Sequence, residues 1–272
     1  MNKENYHKIV QLQKHGTFAD NQLALQLLKG MGLPAIKYYR MDGNLFITLA
    51  QFQRLVDYGW IDFLTRNVSN LGFIGWRNEP EAPTTQIPEA VWKFKNLTNF
   101  LYCGYNLEEL DERIGELTNL RTITLKYNKL KKLPKSIGKL RKLKRLHLTK
   151  NQLNQDNSFP EEFSQLKSLK ILSLTLNNLS QIPDIIQQLS NLRKLVLVRN
   201  KLSELPQWID QLTKLNKLYL DGNCFTEVPK QILNMPNLRD ILFRYNQILE
   251  LPPEIQKLKI SRHISIHPMR IN

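Results

Sequence analysis

The chain has 272 residues, of which 42% are hydrophobic, and its 39 lysines and arginines against 24 acidic residues give a net charge of +15. No apolar run approaches the roughly 20 residues of a membrane-spanning helix, and residues 1–8 lack the apolar core of a secretory signal. The only two cysteines, Cys103 and Cys224, argue against a disulfide-rich secreted protein. We therefore expect a cytoplasmic protein without a transmembrane segment.

Residues 1–70 contain three segments that favour helices. The first two, residues 3–14 and 21–30, end near glycines, and the second begins at a polar residue that can cap a helix. A third segment covers residues 48–58. We expect a helical N-terminal capping module here, because a repeat array follows and its open end needs a cover. An independent binding domain is the alternative.

A pattern of about 23 residues dominates the rest of the chain. Residues 120–142 show it best, since LRTITLKYNKLKKLPKSIGKLRK follows the template LxxLxLxxNxLxxLPxxIxxLxx. Seven copies keep these anchors, and they begin at Leu97, Leu120, Leu143, Leu169, Leu192, Leu215 and Leu238. A short strand carries the first, fourth and sixth positions and can bury them only against neighbouring copies, so the period predicts a solenoid.

This template resembles the leucine-rich repeat family, in its 23-residue intracellular and bacterial type. The resemblance implies an α/β solenoid in which a curved parallel β-sheet lines the concave face of a horseshoe. The LPxxIxxL half of each copy would form the outer wall. We expect the solenoid to span residues 71–267, with a partial last copy at residues 261–267 and a tail at residues 268–272.

The first two copies depart from the template. The degenerate first copy places Leu71, Ile74 and Trp76 at the first, fourth and sixth positions. In the second copy Tyr105 stands where asparagine is expected, and Asp111 replaces proline. We expect these copies to form a transition to the regular array, because terminal repeats are often atypical.

One asparagine recurs at the ninth position of the regular copies. These residues are Asn128, Asn151, Asn177, Asn200, Asn223 and Asn246. Their amides can satisfy buried backbone groups where each strand turns outward, so we predict a structural ladder.

The concave face can be predicted from the template. The third, fifth and seventh positions point to it, because side chains alternate between the two faces of a strand. Toward the last copies, apolar and aromatic side chains at or just beyond these positions meet arginines, as in protein-binding hot spots. These residues are Leu176, Val196, Val198, Arg199, Tyr219, Leu242, Arg244 and Tyr245. We predict that they bind a protein partner, although isolated exposed apolar residues are ordinary on protein surfaces.

A basic segment at residues 117–155 holds 12 lysines and arginines and no acidic residue. The second position of the template also carries a row of basic residues along one edge of the horseshoe. Together they give an alternative site for a nucleic acid or an anionic surface. It comprises Arg121, Lys126, Lys131, Lys132, Lys144, Arg145, Lys170 and Arg193. The same residues also suit a solvated face that keeps the protein in solution.

No constellation of residues in the sequence suits catalysis or metal binding. His263 and His267 would lie about 13 Å apart along one strand, too far to share a metal ion. Cys103 and His147 would lie about 11 Å apart on separate strands, beyond the reach of a nucleophile and its base. We therefore expect no enzymatic activity, no metal and no cofactor.

The sequence thus predicts a non-enzymatic recognition scaffold that binds a protein partner on the concave face. The high positive net charge favours a partner of acidic character. The resemblance to leucine-rich repeat proteins further implies an adaptor or a regulator.

Overall fold

The structure is a computed structural model of the chain. It describes residues 39–40, 44–47, 49–57, 61–62, 65, 68–74, 85–154, 157–250 and 253–254. The helices predicted at residues 3–14 and 21–30 lie outside the described residues, as do the partial copy at residues 261–267 and the tail at residues 268–272.

The described residues form one sheet of ten strands that follow each other in chain order. The first two strands pair antiparallel, and each later strand pairs in parallel with the strand before it. The strands are β1 (Tyr39–Arg40), β2 (Asn44–Ile47), β3 (Asn70–Ile74), β4 (Asn99–Cys103), β5 (Thr122–Thr124), β6 (Arg145–His147), β7 (Ile171–Ser173), β8 (Lys194–Val196), β9 (Lys217–Tyr219) and β10 (Asp240–Leu242). This arrangement confirms the predicted solenoid.

Seven 3₁₀ helices among the described residues form the outer wall. They cover Glu89–Lys93, Glu112–Glu116, Lys135–Lys139, Glu161–Gln165, Asp184–Gln188, Gln207–Gln211 and Lys230–Asn234. Six follow a proline, whose ring fixes the φ angle where the chain enters the helix. The other follows Asp111, whose carboxylate accepts a hydrogen bond from the Arg113 N–H at 2.8 Å. An aspartate cap thus starts this helix where proline is missing.

The core lies between the sheet and the outer wall and is shared along the stack. In the copy from residue 192, Leu195 and Leu197 are fully buried, while Lys194 and Val196 are only half-buried on the other face. The inward positions of the other described copies are buried in the same way. The predicted alternation therefore determines which side chains reach the core.

The asparagine ladder joins each copy to the one before it. Asn200 Nδ2 donates to the carbonyl oxygens of Leu174 at 3.0 Å and Leu197 at 2.9 Å, and its Oδ1 accepts from the Leu179 N–H at 3.3 Å. The same three bonds recur at Asn151, Asn177, Asn223 and Asn246. All these amides are buried. The predicted structural role is confirmed.

The first copy begins three residues earlier than predicted. β3 pairs with β4 so that Leu71 lies beside Phe100 and Phe73 beside Tyr102. Phe100 occupies the fourth position of its copy, so Leu71 is also a fourth-position residue and Val68 takes the first position. Val68, Leu71 and Phe73 are all buried. The predicted register, with Leu71 at the first position, was therefore wrong.

Ring packing explains the register of the first copy. Ile74 and Trp76 offered a second apolar alternation in the sequence. The structure instead buries Phe73, whose ring centroid lies 5.1 Å from that of Phe52 and 5.7 Å from that of Tyr102. A pattern of apolar residues does not weigh such contacts between rings, so it could not choose between the two registers.

The sheet extends into the module that was predicted to be a helical cap. The helix predicted at residues 48–58 is present as α1 (Leu49–Asp57), and it buries Phe52 and Leu55. However, β1 and β2 precede it, and β2 pairs in parallel with β3. The described part of the module is therefore not purely helical. The prediction missed these strands because two and four residues are too short to show alternation.

Aromatic side chains replace the asparagine ladder in the first copies. Tyr105 stands at the ninth position of its copy and is buried, with its ring centroid 4.9 Å from that of Tyr102. Phe73, Phe94 and Phe100 are also buried. Contacts between rings thus pack the irregular copies against each other where the ladder amides are missing.

Leu195→Asp should unfold the array, because it places an unpaired charge in the shared core. Val196→Asp is the matched control, since the adjacent side chain lies on the opposite face of β8. Circular dichroism and thermal melting measure both variants. A Leu195→Asp protein that melts like the wild type would contradict the inward assignment.

Asn200→Ala should lower the free energy of unfolding by about 3 kcal/mol, because buried backbone groups on two copies lose their partner. Asn178→Ala is the control, since this neighbouring asparagine is exposed. Urea denaturation followed by circular dichroism gives both values. Equal and small effects of the two changes would show that the ladder does not hold the stack together.

Candidate protein-binding surface

The third, fifth and seventh positions of the copies form three columns across the concave face. The third-position column is Asn99, Thr122, Arg145, Ile171, Lys194, Lys217 and Asp240; the fifth is Leu101, Thr124, His147, Ser173, Val196, Tyr219 and Leu242; the seventh is Cys103, Lys126, Thr149, Thr175, Val198, Asp221 and Arg244. The strand register aligns the third and fifth columns across β4 to β10. Adjacent members of a column lie about 4.8 Å apart, so their side chains can act together.

Four predicted residues form a continuous apolar patch, which comprises Val196, Val198, Tyr219 and Leu242. Val196 pairs with Tyr219 across β8 and β9, and Tyr219 pairs with Leu242 across β9 and β10. All four are half-buried, so part of each side chain remains accessible. The structure therefore brings these predicted residues together.

Three further predicted residues lie at the eighth position, at the rim of the concave face. Leu176, Arg199 and Tyr245 have φ angles of 54°, 54° and 58°, in the left-handed region that residues other than glycine seldom adopt. Tyr245 is 59% exposed. All seven copies share this backbone at the eighth position, and Gly104 and Gly222 occupy it in two of them. Sequence reasoning missed this feature, for which the two glycines were the only signal.

An ion pair neutralises one of the two predicted arginines. Arg244 Nη2 lies 3.0 Å from Asp221 Oδ2, and the Arg244 N–H donates to Asp221 Oδ1 at 2.7 Å. The Asp221 side chain is only 8% exposed, and its hydrogen bond raises the pKa of Arg244. Arg199 is exposed and forms no ion pair with a described residue. Of the two predicted arginines, Arg199 is therefore the one whose charge is unpaired within the described residues.

Two third-position lysines border the apolar patch, and the prediction did not include them. Lys194 Nζ lies 4.4 Å from the centroid of the Tyr219 ring, a cation–π contact, and burial lowers the pKa of Lys194. Lys217 Nζ lies 2.6 Å from Asp240 Oδ2, and this hydrogen bond raises the pKa of Lys217. Their 23-residue spacing at an outward strand position was the signal that identifies them.

The structure divides the alternative basic site among three surfaces. The concave columns hold Lys126 and Arg145, the edge beyond the strands holds Lys131 and Lys132, and the opposite edge holds Arg121, Lys144, Lys170 and Arg193. Lys132 Nζ also lies 3.6 Å from Glu109 Oε1. More lysines of the basic segment lie on the outer-wall helix Lys135–Lys139. The segment therefore surrounds the stack and does not form one patch.

Cys103 and His147 both favour their uncharged forms. Burial raises the pKa of the Cys103 thiol, whereas a cysteine nucleophile needs a lowered pKa. Burial also lowers the pKa of His147, and the charges of Lys126, Arg145 and Lys194 act in the same direction. The environment of Cys103 thus disfavours the thiolate, and that of His147 disfavours the imidazolium.

In the part of the chain that the structure describes, no group of three histidine, cysteine or acidic side chains could hold a metal ion. None of the described helices has the length and apolar character needed to cross a membrane. His263 and His267 lie outside the described residues.

Two family models match the chain. A model described as a leucine-rich repeat region matches residues 88–195, and one described as a leucine rich repeat matches residues 167–225 and 190–248. Together the matches span residues 88–248, which is more than half of the chain. No curated protein gives a significant match.

Solved structures of several organisms are similar. A leucine-rich repeat protein of Leptospira interrogans is 30% identical with a TM-score of 0.64, over 75% of this chain and 62% of that one. The leucine-rich repeat ectodomain of the Arabidopsis thaliana receptor kinase GASSHO1/SCHENGEN3 is 28% identical with a TM-score of 0.58, over 74% of this chain and 24% of that one. Listeria monocytogenes InlP shares the fold at 23% identity and a TM-score of 0.62, over 96% of this chain and 70% of that one. This chain thus spans less than two thirds of the length of the first two.

The matches agree with the residues that build the structure. The leucines of the template are the inward positions of the described strands, and the ninth-position asparagines join neighbouring copies. The chain belongs to the leucine-rich repeat family.

Proposed function

We propose that this chain is a non-enzymatic recognition scaffold, an adaptor or regulator, that binds a protein partner on the concave face. The observation that carries the proposal is the apolar patch, in which Val196, Tyr219 and Leu242 lie side by side on paired strands. Accessible aromatic and aliphatic side chains on a rigid sheet lose little conformational entropy when a partner covers them. Arg199 and Tyr245 at the rim add two side-chain types that are frequent in hot spots.

The comparisons support the general part of this proposal, which is a role in binding proteins. The leucine-rich repeat fold is generally a scaffold for protein–protein interaction. The ectodomain of the Arabidopsis receptor kinase was solved in complex with CASPARIAN STRIP INTEGRITY FACTOR 2. A binding role for the present chain follows from the same fold together with its own apolar patch.

A cytoplasmic location is part of the proposal. Cys103 and Cys224 are both free thiols, and Cys224 is exposed. A reducing compartment keeps such thiols unoxidised, whereas secreted proteins generally pair their cysteines.

Tyr219→Ala combined with Leu242→Ala should weaken partner binding by about 2 kcal/mol or more, which is roughly 30-fold in Kd. Trp208→Ala combined with Leu233→Ala is the matched control, because it removes an aromatic and an aliphatic side chain that are also half-buried but lie on the outer-wall helices Gln207–Gln211 and Lys230–Asn234. Capture of the partner from native lysate on immobilised wild type and variants, followed by titration of the captured protein, measures the difference. Thermal melting of each variant verifies that the fold is retained.

The alternative function, nucleic acid or anionic surface binding through the basic segment, gives a different result in the same experiment. Captured material would then be lost after nuclease treatment or between roughly 50 and 200 mM salt. It would also be indifferent to the Tyr219 and Leu242 changes but sensitive to reversal of Lys131, Lys132 and Lys144 to glutamate. That combination would overturn the proposed concave site.

A further inference from the structure

The central part of the concave face carries four basic residues at strand positions among which no acidic residue occurs. The third, fifth and seventh positions that accompany β4 to β8 include Lys126, Arg145, His147 and Lys194, and none of these positions holds aspartate or glutamate. We call these four residues the basic cluster. The two acidic residues of the described concave columns, Asp221 and Asp240, come later, with β9 and β10.

The strand register places the basic cluster around one point. Arg145 and His147 lie on β6, and His147 pairs with Thr124 of β5 and Ser173 of β7. Ile171 separates Arg145 from Lys194 in the third-position column, so these cations lie about 10 Å apart at the backbone. His147 lies near the centre, because β6 lies between β5, which Lys126 follows, and β8, which carries Lys194. The charges of Lys126, Arg145 and Lys194 all lower the pKa of His147.

The cations of the basic cluster differ from Lys217 and Arg244 in their ion pairing. Lys217 pairs with Asp240, and Arg244 pairs with Asp221. Lys126, Arg145 and Lys194 make no ion pair within the described residues. The Arg145 guanidinium donates a long hydrogen bond from Nη1 to the Thr122 hydroxyl, at 3.4 Å. Three cations on one face therefore keep donors free for an external anion.

Two hydroxyl groups lie beside the cluster and add a neutral donor. Thr149 Oγ1 and Ser173 Oγ share a hydrogen bond of 3.3 Å, which leaves one of the two O–H groups free to donate. His147 in its neutral form offers one further N–H donor. This mixture of cations and neutral donors suits oxygen anions, which accept several hydrogen bonds at once.

We propose that the basic cluster binds the carboxylates of an acidic segment of the protein partner. The proposal rests on the proposed function, because the same partner would cover the apolar patch. Lys194 connects the two areas through its contact with the Tyr219 ring. A partner that lies across β5 to β10 would place its acidic residues over the basic cluster and its apolar residues over the patch.

The shape of the positive surface favours an acidic polypeptide over a nucleic acid. The cluster covers only β5 to β8, roughly 15 Å across the sheet, whereas a polynucleotide needs a longer basic track with bases stacked on aromatic rings. The remaining basic residues of the segment lie on the two edges and the outer wall. Three free cations match two or three carboxylates of a short acidic run.

Binding of a fluorescein-labelled hexaglutamate peptide, measured by anisotropy at about 50 mM salt, tests the proposal. Lys126→Gln, Arg145→Gln and Lys194→Gln together should weaken binding at least about tenfold, because they remove the free cations. The control is Lys135→Gln, Lys139→Gln and Lys230→Gln, which removes the same charge from exposed residues of the outer-wall helices. It should change the affinity by less than about twofold. A labelled hexaglutamine peptide should not bind.

The proposal is overturned if wild type does not bind hexaglutamate or if both triple variants weaken it equally, since the second result would mean that only the net charge matters. It is also overturned if a labelled single-stranded oligonucleotide binds more tightly than hexaglutamate and loses affinity in the concave triple variant. Inorganic phosphate at millimolar concentration should displace the peptide only weakly; complete displacement would assign the cluster to phosphate groups and reject carboxylates.

The two proposals can fail separately. If hexaglutamate binding depends on the three cations while partner capture ignores Tyr219→Ala with Leu242→Ala, the apolar patch is rejected and the basic cluster stands. If partner capture depends on the apolar patch but the peptide result is negative, the basic cluster is rejected and the proposed function stands.

Discussion

A buried asparagine amide that serves two copies at once is the interaction on which the stack depends. Asn200 bonds to carbonyl groups of its own copy and of the previous one, and to an N–H of the previous one. Each amide therefore fixes how far apart neighbouring copies lie and how they are turned. Strands β5 to β10 have only three residues each. The backbone hydrogen bonds between these strands are therefore few and stabilise the stack little by themselves. The rigid concave face follows from this shared use of a side chain.

Much of the regular array could be predicted because its rules are local. Leucines at the first, fourth and sixth positions, such as Leu192, Leu195 and Leu197, must face inward, and the recurring asparagine must satisfy buried backbone groups. The register of the first copy could not be predicted in this way, because it depends on the packing of Phe73 against Phe52. That contact joins residues from a helix and a strand, and no periodic pattern records it.

The candidate site was also predictable from the sequence only in part. The columns of the concave face follow from strand alternation, so the position of Tyr219 was predictable. Whether each charged side chain forms an ion pair was not predictable, because this depends on which acidic side chain lies close to which basic one. Asp221 lies 23 residues before Arg244 and neutralises it, while Arg145 has no acid on either neighbouring strand. Two arginines of equal appearance in the sequence therefore differ in what they offer to a ligand.

The left-handed backbone at the eighth position places stability and recognition in competition. Glycine adopts this conformation freely, whereas each larger residue there costs about 1 to 2 kcal/mol. Five of the seven copies nevertheless carry a larger side chain, at Tyr127, Lys150, Leu176, Arg199 and Tyr245. A thermostabilised version of this scaffold with glycines at these sites would lack the five side chains at the rim of the concave face. Engineers who optimise such arrays for heat resistance alone would therefore erase part of the surface that gives each array its own specificity.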